Sequence, residues 1–324
     1  MTGKKKLATT SQLDVARSGQ LSKLASKKEL GANAALRMPK ISMSRVNKLL
    51  HVVTRNRGIG FYIIAPEKSG STSLADFLNE HPSLTFGAAK ESHTYRRSGS
   101  TPISLLRLRD RIIHLGRHSK RGAIMFDATT SNSTNPFAVR VLNESAESSK
   151  ILFLFRDPVE RFVSQYWWDR RHGWTGATSL AEYLGFCLDE RVLAAQKEHY
   201  SAKVAKPICT DFDMQVTSGN VAALLAGCYV DMVNRYSKFD SLALELADFA
   251  VDYESTVDKI SNFLGVDSAH FRSSAFPHSN KAPDSTAGQA EEGWYETVTY
   301  LTDYYREQNA GLEELCGRRF SFSQ

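Results

Sequence analysis

The chain has 324 residues, 42% hydrophobic and 23% charged, ordinary values for a globular enzyme able to bury a sizeable core. Its net charge of +6 is uneven: residues 1–57 hold thirteen Lys/Arg against Asp14 and Glu29, which leaves the body at about −5. No run reaches the ~18 apolar residues of a bilayer span, the N-terminus lacks the apolar core of a secretion signal, and Cys187, Cys209, Cys228 and Cys316 show neither CxxC nor metal-ligand spacing, which excludes those classes and predicts a cytoplasmic protein with reduced thiols.

Residues 1–57 read as a basic arm, partly disordered, ahead of a domain over 58–324. Its charge suits a solvated tail, or peripheral contact with an anionic membrane or an acidic polymer; nucleic acid, open on charge alone, is not an expected partner. "IGFYIIA" (59–65) is β-branched and aromatic and predicts a buried strand, followed by a helix over "STSLADFLNEHP" that stops before Pro82. "AIMFDAT" (123–129) and "KILFLFRDP" (150–158) predict two more strands, continuous in apolar residues and so buried on both faces of a parallel sheet. Asp157 is placed to cap, and Pro158 to begin, a helix through "VERFVSQYWWDRR". Residues 175–250 read as mostly helical, with Leu225, Tyr229, Met232, Val233 and Tyr236 on one face, and a further strand is expected near 246–252. "TVDKISNFLGV" predicts a helix ended by Gly265, and a last amphipathic helix carries Trp294, Val298, Leu301, Tyr305 and Leu312. The alternation predicts an α/β, P-loop-like three-layer fold, a central parallel sheet flanked by helices, with ligands at the carboxyl ends of the strands.

Between the first strand and helix lie Lys68, Ser69, Gly70, Ser71, Thr72 and Ser73. Small side chains and amide N–H groups at a helix start make an anion site, to which Lys68 adds a full charge. The lysine precedes the glycine, so the triphosphate signature GxxxxGK[ST] is absent; an ordinary surface turn fits the same residues. In "FRDPVERFVSQYW" (155–167), Arg156 offers a bidentate fork and Ser164 a hydroxyl. Eight positions apart they differ by about 80° around a helix axis, so both reach one phosphate if the strand end bends toward the helix. A capping salt link from Arg156 to Glu160 is the alternative.

With these motifs the chain resembles the PAPS-dependent sulfotransferases, in particular their carbohydrate (heparan-sulfate-type) branch. "APEKSGSTSLADFLNEHP" is similar to that family's 5′-phosphosulfate loop, and "FRDPVERFVSQYWWDRRHG" to its 3′-phosphate motif. "KESHTY" (90–95), "GCYVDMVNRYSKF", "VDYESTV", "ISNFLGV" and "YREQNAGLEELCGRRF" resemble later landmarks in order, over roughly residues 58–320. The resemblance implies transfer of a sulfuryl group from 3′-phosphoadenosine 5′-phosphosulfate (PAPS) to an acceptor hydroxyl or amine, releasing 3′,5′-phosphoadenosine, with no metal required. It implies that Lys68 stands beside the leaving oxygen and that Ser69–Ser73 bind the 5′-phosphate. Arg156 and Ser164 would bind the 3′-phosphate. Glu91 falls where the branch places its catalytic base; His93 competes on ordinary proton affinity, and a surface ion pair or a structural histidine accounts for either residue equally. Where the branch often has a disulfide-bounded loop before a Lys-Gly-Arg element, "FRSSAFPHSNKAPDS" has no cysteine, and Lys281 stands in loosely for its lysine. The expected acceptor is a carbohydrate, glycolipid or small molecule, with the aromatics and arginines of "YWWDRRHGW" (166–174) as either an acceptor platform or core. A P-loop kinase, or a nucleotide- or polyanion-binding protein without transferase activity, are the rival readings.

Overall fold

Side chains that alternate along adjacent strands divide the core into two halves. In the computed structural model the described residues are 59–86, 89–93, 120, 122–145, 149–189, 223–277 and 291–323. Strand β1 (Phe61–Ile64) lies between β3 (Ile124–Asp127) and β4 (Lys150–Phe155), with β2 (Leu84–Thr85) and β5 (Ser241–Glu245) at the edges. Every pairing in the order β2-β3-β1-β4-β5 is parallel.

Phe61, Ile63, Leu152, Leu154 and Leu244 face α1 (Ser71–Glu80) and the helix over Tyr253–Leu264. Tyr62, Ile64, Ile151, Phe153 and Phe155 face the opposite layer, which includes α2 (Pro136–Ser145). Both faces are therefore apolar, as the continuous runs predict, and each fully buried side chain contributes roughly 1.5–3 kcal/mol over exposure. The α/β three-layer expectation holds.

Helix α3 (Pro158–Arg171) starts as expected: the Asp157 carboxylate accepts from the amides of Val159 (2.8 Å) and Glu160 (3.0 Å), and Pro158 opens the first turn. It packs with α4 (Leu180–Leu188) on a third apolar cluster, which holds Phe162, Tyr166, Tyr183, Leu301 and Tyr305. Helix α5 (Tyr229–Arg235) buries Tyr229, Met232 and Val233, while Leu225 lies in a preceding 3₁₀ turn.

The strand expected near 246–252 lies earlier, at 241–245. The Asp248 carboxylate accepts the Glu245 amide (2.8 Å) and turns the chain into the short α6 (Asp248–Val251). Next, α7 (Tyr253–Leu264) ends where Gly265 adopts φ 71°, as expected. After α8 (Ala269–Arg272), the predicted closing helix is two: α9 (Trp294–Gln308) and α10 (Leu312–Cys316). Asn309 breaks it, accepting from the Tyr229 amide (2.6 Å) and donating to the Gly227 carbonyl (2.9 Å). Leu312 consequently packs in a different cluster from Leu301 and Tyr305.

Asp157→Ala removes the acceptor for two amides of α3 and lowers stability by about 1 kcal/mol. Urea unfolding will show this as a lower midpoint at unchanged slope, with Asp157→Asn losing less.

Candidate active site

The loop from β1 to α1 is held in a conformation its residues do not favour. Lys68 has φ 69° and Gly70 φ 92°, and a Cβ on Gly70 would stand 2.8 Å from Leu246 Cδ1. A left-handed non-glycine residue costs about 1–3 kcal/mol, which neighbours must offset. Arg161, fully buried on α3, does so by donating to the carbonyls of Glu67 (3.5 Å) and Ala223. Arg156 Nη1 donates to the Lys68 carbonyl at 3.4 Å. The loop thus delivers α1 with no side chain capping its first turn.

That helix start opens on a cavity of about 1010 Å³, lined here by Lys68, Gly70, Ser71, Thr72 and Ser73. Ser69 is buried and is not on its wall. Lys68 Nζ sits 3.9 Å from the ring centre of Trp168. Burial lowers the Lys68 pKa to about 8; Glu67 opposes this, while Arg171 and Arg156 add to it.

The second motif reaches the same cavity. Arg156, at the end of β4, and Ser164, two turns into α3, both line it. The salt link is also real: Arg156 Nε and Nη2 both lie 3.2 Å from Glu160 Oε2. Tyr229 donates to the Arg156 carbonyl (2.6 Å) and fixes the bend at the strand end.

Glu91 lines the cavity with each oxygen engaged. Oε1 accepts from Lys90 Nζ (2.7 Å); Oε2 accepts from Thr130 Oγ1 (3.5 Å) and stands 3.5 Å from His93 Nε2. His93, at φ 47°, is outside the cavity wall and half exposed. The segment is moored by Asp127, buried at the carboxyl end of β3. Its carboxylate accepts from the amides of Ser92 (3.2 Å) and Thr129 (2.9 Å), from Thr129 Oγ1 (3.0 Å) and from Asn132 Nδ2 (3.0 Å).

Leu246, beside Gly70, and Phe249, Tyr253 and Phe276 add apolar surface to the cavity, with the rings of Phe249 and Phe276 stacked at 3.9 Å. Near Lys68, Trp168, His172 and Trp174 form a cluster, with centroids 4.1 Å apart for the first pair and 5.2 Å for the second.

A model described as "Sulfotransferase domain" matches residues 60–287. The chain belongs to the sulfotransferase family. Carbohydrate sulfotransferase 15 of Homo sapiens is 26% identical over 313 aligned positions, covering 79% of this chain and 53% of the relative. The Rattus norvegicus protein of the same name gives the same figures. The chain thus spans about half the length of these relatives. A sulfotransferase from Alicyclobacillus acidocaldarius shares the fold at TM-score 0.56 and 21% identity, over 83% of this chain and all of that one. Membership favours neither rival reading, kinase or silent binding protein.

The expected platform "YWWDRRHGW" divides. Trp168 and Trp174 line the cavity, whereas Tyr166 is buried in the third cluster and the partly buried Trp167 packs against it. Lys281 lies outside the described residues. Sequence reading missed Asp127, Arg161 and the apolar wall. Asp127 is the charged residue inside the predicted strand run 123–129, which was the available signal; nothing local marked Arg161. Glu67, also unforeseen, lines the cavity and is exposed. Burial, then Asp169 and Glu91, raise its pKa.

Asp127 touches no cavity surface and acts by placing Glu91. Asp127→Asn presents a donor where four donors converge, and kcat will fall about tenfold or more, ~1.4 kcal/mol at the transition state. Steady-state kinetics normalised to the folded fraction checks this: kcat per folded molecule falls while the donor KM stays within about threefold, whereas unfolding alone would leave kcat per folded molecule unchanged.

Proposed function

We propose that the donor is PAPS and that the enzyme transfers its sulfuryl group to a carbohydrate hydroxyl, releasing 3′,5′-phosphoadenosine (PAP). One observation carries this reading: an uncapped helix start with Lys68, and the pair Arg156 and Ser164 from a distant segment, converge on one cavity. The donor fits the chemistry of the wall. Cations and amides suit its two anionic ends, the apolar side suits a purine, and a cavity of about 1010 Å³ has room for the whole nucleotide.

PAPS supplies an electrophilic sulfur whose bond to a phosphate oxygen breaks as the acceptor oxygen bonds to it. Lys68 holds its ammonium where charge gathers on the departing oxygen, binding the transition state more tightly than the ground state. Gly70–Ser73 orient the 5′-phosphate, Ser69 shapes the loop beneath them, and Arg156 with Ser164 takes the 3′-phosphate. Glu91 receives the acceptor proton; Lys90 and Thr130 fix its oxygens, and His93 supports it from outside the wall. Trp168 and Trp174 stack on a sugar ring. Lys281 is assigned to the donor's 3′-phosphate by resemblance alone.

We assign residues 1–57 to a separable basic arm that contacts a polyanion or a membrane surface, and 58–324 to catalysis. Among the described residues no helix is long and apolar enough to cross a membrane. Cys187, Cys228 and Cys316 are free thiols, which supports a cytoplasmic location.

Lys68→Ala will lower transfer about 10²–10³-fold, and Glu91→Gln about 10²–10⁴-fold, with PAP still bound by Glu91→Gln. Labelled-sulfate transfer and calorimetry check both; full activity in Glu91→Gln moves the base to His93, and preference for ATP over PAP defeats the donor assignment. PAP affinity also carries a pH limb. Lys68 is cationic below its pKa of about 8, so affinity holds there and declines as pH rises through and beyond that value. Calorimetry across pH will show the limb in the wild type and its loss in Lys68→Arg.

A further inference from the structure

One ammonium stands behind the cavity wall and reaches a group on each side of the proposed reaction. Lys90 Nζ donates to Ser71 Oγ at 3.4 Å and to Glu91 Oε1 at 2.7 Å. Ser71 and Glu91 line the cavity; Lys90 does not, and its side chain is largely buried. The backbone is moored on both sides of Glu91. The Lys90 carbonyl accepts from the Ala128 amide (3.1 Å), and the Ser92 amide donates to Asp127 Oδ2 (3.2 Å). The lysine side chain therefore leaves a fixed point and ends against the first residue of α1. A helix start carries positive partial charge, so a cation is unfavourable there; the carboxylate of Glu91 offsets it.

The two bonds limit what each partner can do. An ammonium has three donors and no acceptor, so a hydroxyl that accepts from it turns its own proton elsewhere. Ser71 stands at the uncapped start of α1 on the cavity wall, and its proton is thereby offered to an anion arriving there. On Glu91 the short charge-assisted bond occupies Oε1. Among the described residues Oε2 has longer contacts, 3.5 Å to Thr130 Oγ1 and 3.5 Å to His93 Nε2, and Thr130 also lines the cavity. We propose, building on the transferase reading above, that Lys90 is a positioning residue for both sides of the reaction. It orients the Ser71 hydroxyl as a donor to the 5′-phosphate and pins Oε1 of Glu91, which leaves Oε2 to receive the acceptor proton. It touches neither substrate. Donor loop and base share one cation, whose two bonds set the spacing between them.

The test is a pair of double-mutant cycles in the full chain. Calorimetry with PAP reads the donor side. Labelled-sulfate transfer from PAPS, to whichever of dextran, chondroitin and heparosan the wild type sulfates fastest, reads kcat. Lys90→Met is expected to weaken PAP binding about threefold to tenfold and to lower kcat at saturating PAPS about tenfold or more. Because Lys90 acts through its partners, the same substitution will change PAP affinity by less than about twofold in a Ser71→Ala background, and kcat by less than about twofold in a Glu91→Gln background. A melting temperature near wild type shows that the variant is folded; if Lys90→Met does not fold, Lys90→Gln takes its place in both cycles. Direct contact with the donor would weaken PAP binding equally with and without the Ser71 hydroxyl, and a merely structural role would lower kcat equally with and without the Glu91 carboxylate. Either result overturns the inference and leaves the transferase reading standing, as does a Lys90→Met enzyme with wild-type PAP affinity and kcat. Failure of the wild type to bind PAP, or to sulfate any of the three glycans, overturns the reading beneath it and this inference with it.

Discussion

The start of α1 carries the positive end of a ten-residue helix, and no side chain caps it. A helix end of that kind is stable against the core only if water or an anion satisfies its amides. The fold directs it at a cavity, and the adjoining loop supplies Lys68 in a left-handed conformation that brings its ammonium over the same space. Arg161 makes this tenable. It fixes the Glu67 carbonyl from within α3, and its burial among Tyr183, Tyr229 and Tyr305 means the loop cannot relax without disturbing three aromatic neighbours. The anion site is thus strained and rigid at once, which is how a site avoids reorganising when charge develops in it.

Rigidity brings an electrostatic conflict. The crowding that fixes Lys68 also removes water from its ammonium, lowering its pKa to about 8, and Arg156 and Arg171 press in the same direction. Glu67 partly restores the balance.

What the sequence made legible was local. The β1–loop–α1 unit, the Asp157–Pro158 start of α3 and the Gly265 stop each depend on a few neighbouring residues, and each forms where expected. The convergence of Arg156 and Ser164 was legible in the same way, since helical periodicity carried it. What depended on distant partners was not. Apolar "LADFAVD" looks like a strand until Asp248 captures the Glu245 amide and Arg318 pairs with Asp248 from near the chain's end. Asp127 reads as one polar residue within the strand run 123–129, and only folding gathers the Ser92 amide, Thr129 and Asn132 around it. Similarly, "WW" divides into Trp167, packed against the third cluster, and a cavity residue, Trp168.

Sheet topology explains why one cavity receives both motifs. From β1 the chain passes through β2 to β3 on one side of the sheet, then returns across it to β4 and β5 on the other. The connections therefore diverge beside β1, and a crevice opens at the carboxyl ends of β1 and β4. The phosphosulfate-type loop follows β1 and the Arg156 motif follows β4, so parallel pairing with Tyr62 opposite Ile151 and Ile64 opposite Phe153 brings their loops out side by side. Asp127 leaves β3 on the other flank of β1 and carries the Glu91 segment in from there. Three strands in register bring Lys68, Arg156 and Glu91 to one cavity. The hydrogen bond from Arg156 to the Lys68 carbonyl joins two of them directly, so a shift of register between β1 and β4 would break the site and the core together.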